Sequence, residues 1–132
     1  MAKLRHLAMV VDDMEKTATF YEQSFGMTRV RTTATAIGLT DGYMSMVLIH
    51  PSNINLKGET PRGLHHLGFL IDDMEQMSAK VEANGAAYHG EILGSGSGPM
   101  NERKYLDPNG LMFDITTPEH ARRVWHIPVD GV

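Results

Sequence analysis

The chain spells one twelve-residue pattern twice. Leu4–Glu15 reads Leu-Arg-His-Leu-Ala-Met-Val-Val-Asp-Asp-Met-Glu, and Leu64–Glu75, sixty positions later, reads Leu-His-His-Leu-Gly-Phe-Leu-Ile-Asp-Asp-Met-Glu. A repeat constrains the fold before any other property, because equivalent segments build equivalent units. Two copies are too few for a solenoid. The reading that remains is one domain made of two similar halves. His6 and His66 occupy the same place in the two copies.

Each half starts with a short apolar run, Leu4–Val11 or Leu64–Ile71, ended by an Asp-Asp pair. Such a run predicts a buried strand, and either aspartate of the pair can cap a following helix. In the first helix Met14, Thr17, Ala18, Tyr21 and Phe25 fall at helical spacing before Gly26. The second runs to Asn84, before Gly85. Strands are expected at Thr28–Thr35, at Tyr43–Ile49 behind the Asp41-Gly42 turn, at Ala87–Ile92, at Arg103–Leu106 and at Leu111–Thr116. The expected unit is strand, helix, strand, strand, strand in each half, the third strand being the weakest signal. The boundaries are about 3–51 for the first half, 52–63 for a linker, 64–117 for the second half and 118–132 for a tail. Gly94-Ser-Gly-Ser-Gly98 has almost no side chain to pack and reads as a loop at the rim of any site.

At 132 residues and a formal net charge of −4, the chain is long enough for its own core and too acidic to suggest nucleic acid as a partner. It has no apolar stretch of the roughly 20 residues a membrane helix needs. A cytoplasmic location is the expectation. With no cysteine, thiolate ligands and a cysteine nucleophile are excluded.

Seven histidines are present, and taken singly none carries weight. His6 and His66 differ because two related halves packed side by side bring their first strands together. Two imidazoles meeting in a dry core need partners, and a metal ion supplies one. His65 is expected on the opposite face of its strand, by simple alternation. Asp114 interrupts the apolar run Leu-Met-Phe-Asp-Ile, where an unpaired carboxylate is costly. Two histidines and one carboxylate match the facial triad of non-haem Fe(II) sites. Proton competition at the ordinary imidazole pKa then predicts metal affinity falling below about pH 6.

The chain resembles the vicinal oxygen chelate superfamily, which includes glyoxalase I, methylmalonyl-CoA epimerase, extradiol dioxygenases, fosfomycin-resistance transferases and bleomycin-binding proteins. The resemblance spans roughly residues 3–117. Leu4-Arg-His-Leu with its Asp-Asp-Met-Glu helix start, Phe20-Tyr21 through Phe25-Gly26-Met27, His65-His66-Leu-Gly-Phe and Asp107-Pro-Asn-Gly-Leu-Met-Phe-Asp114 carry it. It implies an α+β fold of two βαβββ modules pairing into a cupped mixed sheet around a metal. By position, it makes His6, His66 and Asp114 the metal ligands.

Two departures from the family pattern bear on function. Asp114 stands where the family usually has the longer Glu. The further first-module ligand of glyoxalase I and the epimerases falls on Met46 or Val47, neither a hard ligand. The resemblance therefore implies a divalent-metal enzyme, Fe(II) preferred and Mn, Zn, Ni or Co possible, on a small molecule with adjacent oxygens. Extradiol-type oxygenation comes first because three ligands suit it. A glyoxalase-like lyase or isomerase, with His50 or water in the missing position, is the alternative, and a metal-free drug-binding protein the third reading. Tyr105 and Lys104 are the candidate catalytic groups, with Arg103 beside them as a further cation. A homodimer is expected, from the open sheet edges and from Trp125, Ile127 and Val129 in the tail, which need burial against a partner or over the cup.

Overall fold

The computed structural model describes residues 2–58, 61–92 and 102–129. Its first half runs β1 (Lys3–Val10), α1 (Met14–Phe25), β2 (Thr28–Thr32), β3 (Ala36–Thr40) and β4 (Ser45–Ile49). The second half repeats the order as β5 (Gly63–Leu70), α2 (Met74–Ala83), β6 (Ala87–Ile92), β7 (Glu102–Leu106) and β8 (Met112–Thr116). A short 3-10 turn at Ile54–Leu56 lies between them, and α3 (Pro118–His120) continues into a π-helical turn at Ala121–Trp125. The glycine-rich Gly94–Gly98 segment lies outside the described residues.

The second aspartate of each pair is the cap. Asp13 accepts from the Lys16 amide at 3.0 Å and Asp73 from the Gln76 amide at 2.9 Å. The same four residues thus start both helices for the same reason, by satisfying a backbone donor the first turn leaves over. Gly26 ends α1 at φ 69°, a left-handed conformation that costs glycine little.

The eight strands form one mixed sheet in the order β2-β3-β4-β1-β5-β8-β7-β6. The halves meet where β1 pairs antiparallel with β5. Within each half the first strand pairs in parallel with the last, β1 with β4 and β5 with β8. The sheet's convex face carries the two helices. Ala18 of α1 packs with Ile37, Leu39 and Leu48, and Met74, Met77 and Val81 of α2 pack on Ile71, Tyr105 and Ile115.

Three sequence expectations change or narrow here. The strand expected over Thr28–Thr35 stops at Thr32, and the unassigned Ala36–Thr40 is β3, buried throughout. A strand buried on both faces shows no alternation and so gave no periodic signal. Of the two covers expected for the tail, a partner or its own cup, the structure has the second. Trp125, Ile127 and Val129 pack on Leu70 and Ala121 of their own chain, and Arg5 donates to the Pro128 carbonyl.

The third concerns alternation along β1 and β5. Leu4 pairs with Phe69 but His6 pairs with Gly68, so Arg5 is an extra residue in β1; Ala8 pairs with His66 but Met9 with Leu64, so His65 is an extra residue in β5. The two bulges fall at the same place in the two repeats. Bulges re-aim side chains and break the period of two. His65 therefore lies on the concave face beside His66, not opposite it.

Candidate metal centre

A single row of paired residues crosses the concave face. Ser45 of β4 is opposite His6 of β1, His6 opposite Gly68 of β5, Gly68 opposite Asp114 of β8, and Asp114 opposite Lys104 of β7. His66 comes from the next row of β5, opposite Ala8. Gly68 is what lets the histidine and the aspartate share this place. A Cβ there would sit 2.6 Å from the His6 Cβ and 2.9 Å from its ring.

Ligand atoms of His6, His66 and Asp114 all lie within 4.8 Å of one another, and the three residues are buried. Each has one polar atom held from outside. His6 Nδ1 is 2.8 Å from Ser45 Oγ, His66 Nδ1 is 2.7 Å from His65 Nδ1, and Asp114 Oδ1 accepts from Lys104 Nζ at 2.7 Å. Outer partners of this kind fix the tautomer and rotation of metal ligands. The remaining atoms, the two Nε2 and Asp114 Oδ2, are the ones left for a metal. His66 Nε2 and Asp114 Oδ2 approach to 3.1 Å, yet Oδ2 is buried with no hydrogen bond. A buried carboxylate oxygen without a donor is expensive. Two ligands each about 2.1 Å from one ion stand about 3 Å apart, so the residues fit a divalent cation.

The electrostatics suit the same occupant. Burial, and then the neighbouring His66, lower the His6 pKa to about 3; burial, and then Lys104, do the same to His66. Both rings are therefore neutral near pH 7, as metal ligation requires. Burial pulls the Lys104 ammonium down, but Asp114 and Glu102 outweigh it and hold its pKa above the ordinary lysine value.

Lys104 lines the concave cavity, about 620 Å³ in volume, together with the three candidate ligands. Tyr105 is the corrected expectation. Strand β7 pairs with β8 without a register shift, so the residue next to Lys104 faces the other way. Its ring is buried under α2, stacked on Phe113 at 5.9 Å, and cannot reach the cavity. Arg103 also turns from the cup, donating to Glu75 and Ser78 of α2.

The register resolves which first-module residue stands at the further ligand position. Ala8 and Gly68 are equivalent in the repeat; Ala8 pairs with Val47 as Gly68 pairs with Asp114. Val47 therefore holds that place, and Met46 packs on the α1 side.

Sequence reasoning missed Ser45, Glu102 and His120. Glu102 is buried, accepts from Lys104 at 3.3 Å and lies 2.8 Å from His120 Nε2. Trp125 stacks on His6, with ring centroids 4.4 Å apart and planes within 5°. Only the Lys-x-x-x-x-x-x-x-x-x-Asp spacing around a turn hinted at the Lys104 pair, and nothing local pointed to His120.

Comparison with known proteins agrees with this architecture. Residues 3–115 match the family model described as Glyoxalase/Bleomycin resistance protein/Dioxygenase superfamily. Among solved structures, hypothetical protein BH1468 from Bacillus halodurans C-125 superposes with a TM-score of 0.68 at 16% identity, over 88% of this chain and 94% of that one. The Mn(II)-bound glyoxalase from Novosphingobium aromaticivorans gives 0.66 at 15% identity, over 89% and 40% of the two chains. Methylmalonyl-CoA epimerase from Mycobacterium tuberculosis gives 0.62 at 18% identity, over 87% of each. These likenesses speak to the fold. Comparison with curated proteins gave no match.

Proposed function

Because the chain belongs to the Glyoxalase/Bleomycin resistance protein/Dioxygenase superfamily, we propose that it is a divalent-metal enzyme acting on a small molecule through two adjacent oxygens. One observation carries this reading: three ligand atoms converge within 4.8 Å, and the carboxylate oxygen among them is buried without a donor. A bound divalent ion supplies a Lewis acid with open positions for substrate oxygens. The chain's own groups do the rest. Ser45, His65 and Lys104 orient the ligands, Trp125 of the tail packs flat on the His6 ring, and Lys104 keeps a positive charge beside the substrate's oxygens.

Within this reading, extradiol-type oxygenation of an aromatic diol with Fe(II) comes first, since Val47 leaves three protein ligands and no first-module proton-transfer base. The second reading is a lyase or isomerase. It draws on the epimerase and glyoxalase among the similar folds and on the buried Glu102–His120 pair as a proton-handling group. Purified chain loaded anaerobically with Fe(II), Mn(II), Ni(II) or Zn(II) and assayed on catechols and on the methylglyoxal–glutathione adduct tests both. Oxygen uptake coupled to ring opening supports the first, and metal-dependent isomerisation the second. Turnover by neither, in a chain that does not take up metal, refutes the enzyme reading. The proposal includes a homodimer, since β2 and β6 are open sheet edges; light scattering at the 14.6 kDa monomer mass would count against it.

A further inference from the structure

The repeat makes it possible to compare the two walls of the cup position by position. Val47 is equivalent to Asp114, and two residues on, Ile49 pairs with Val10 as Thr116 pairs with Leu70. One strand further out, Ala36 is opposite Ile49 as Glu102 is opposite Thr116, and Gly38 is opposite Val47 as Lys104 is opposite Asp114. At these four equivalent positions the second module has Asp, Thr, Glu and Lys where the first has Val, Ile, Ala and Gly. Two copies of one unit have diverged into a charged wall and an apolar one.

The charged wall is already engaged. Lys104 holds both Asp114 and Glu102, and Glu102 holds His120 of the tail. The apolar wall is held by packing alone, with Leu56 of the 54–56 turn set against Ile49, Val10 and Val47. Ala36, Val47, Ile49 and Leu56 line the cavity directly, and Arg31 and Lys57 stand exposed at its rim. A surface of this kind beside a cation site selects for apolar bulk, because apolar area leaving water is favourable without any specific partner.

We propose that the substrate is a chelating anion with an apolar body of several carbon atoms, and that this body lies on the wall formed by Ala36, Val47, Ile49 and Leu56. The proposal rests on the metal-site reading above and adds the class of molecule that site takes and the direction in which it lies. Lys104 beside the ligands and the two rim cations favour the negative charge. Val47 and Ile49 are then specificity-determining residues.

The test uses two ligands that chelate alike and differ only in their apolar part. Zinc-loaded protein is titrated by calorimetry with lactate and with 2-hydroxyhexanoate, which carries three more methylenes. Each fully buried methylene is worth about fourfold in affinity, so 2-hydroxyhexanoate should bind at least about fivefold more tightly, with incomplete burial allowed for. A smaller ratio overturns the proposal. In Val47→Thr and Ile49→Thr the ratio should fall at least about twofold, with the zinc affinity of each variant measured as reference; a ratio unchanged in both removes this wall as the binding surface. Should one variant fail to fold, the other and the wild-type ratio decide. Equal binding of uncharged 1,2-hexanediol would overturn the anionic part. A chain that takes up no zinc overturns the metal reading and this inference together, whereas zinc uptake without the chain-length preference overturns this inference alone.

Discussion

Val47 and Asp114 occupy the same position in the two halves of the sheet, each opposite the residue that lies two places beyond its module's histidine. One is apolar and one is a carboxylate, so the proposed centre would have three protein ligands and one apolar side. Val47→Asp should restore the missing symmetry. Zinc affinity is expected to rise at least about tenfold by calorimetry, while the metal-free form loses about 1–3 kcal/mol in urea unfolding because the added carboxylate has no donor. Unchanged zinc affinity would show that the two positions are not equivalent toward the ion.

Gly68 makes the row across the concave face possible. In Gly68→Ala the new methyl must displace the His6 Cβ, which is backbone-anchored and cannot swing away. Overpacking of this sort costs about 1–3 kcal/mol. Urea unfolding should show that loss together with weakened metal binding. A variant as stable as wild type with full metal affinity would mean the strands separate there at no cost.

Much of this was legible in the sequence, and the reasons for the rest are physical. The Leu-x-His-Leu repeat and the Asp-Asp caps are local, so both modules and the pairing of His6 with His66 could be read directly. Asp114 was visible because a charge in an apolar strand needs a partner. Ser45, Glu102 and His120 were not, since they reach the site through register and through the tail's return over the sheet. Side-chain alternation holds only where the ladder is regular, and this decides where both Tyr105 and His65 lie. For Tyr105 the unbroken β7–β8 register puts it beneath α2. For His65 a bulge reverses the expectation.

His65 thereby acquires a role. Its Nδ1 lies 2.7 Å from His66 Nδ1; in the tautomer that carries its proton on Nδ1, His66 donates to His65 and keeps Nε2 free for a metal. Loss of such an outer partner typically weakens metal binding about 10–100-fold. His65→Ala should fall in that range, and His65→Asn, which keeps an acceptor, should recover part of it. Equal affinity in wild type and His65→Ala would leave His65 a bystander.

The pH dependence differs from what isolated imidazoles suggest. His6 and His66 have folded pKa values lowered to about 3 from 6.5. Their neutral forms stabilise the fold above the unfolded value, and that stability is lost as pH falls from about 6.5 toward 3. Each contributes at most about 1.4 kcal/mol per pH unit across that window. Metal-free protein should therefore lose urea stability steadily below about pH 6, and His66→Asn should flatten the slope. Proton competition for the metal moves down with the pKa values. Zinc affinity at pH 5.5 should stay within about threefold of its value at pH 7.5, in contrast to the fall below pH 6 that the reference imidazole value implies.

The chain has one tryptophan, and Trp125 stacks on His6 at 4.4 Å, so its emission reports directly on the proposed centre. Co(II) titrated into tag-free, metal-free protein should quench that emission and saturate at one ion per chain, with the quench lost in His66→Ala and in Asp114→Asn. Failure of the wild-type chain to bind Co(II), or a quench that survives in both variants, would contradict a metal centre built from His6, His66 and Asp114.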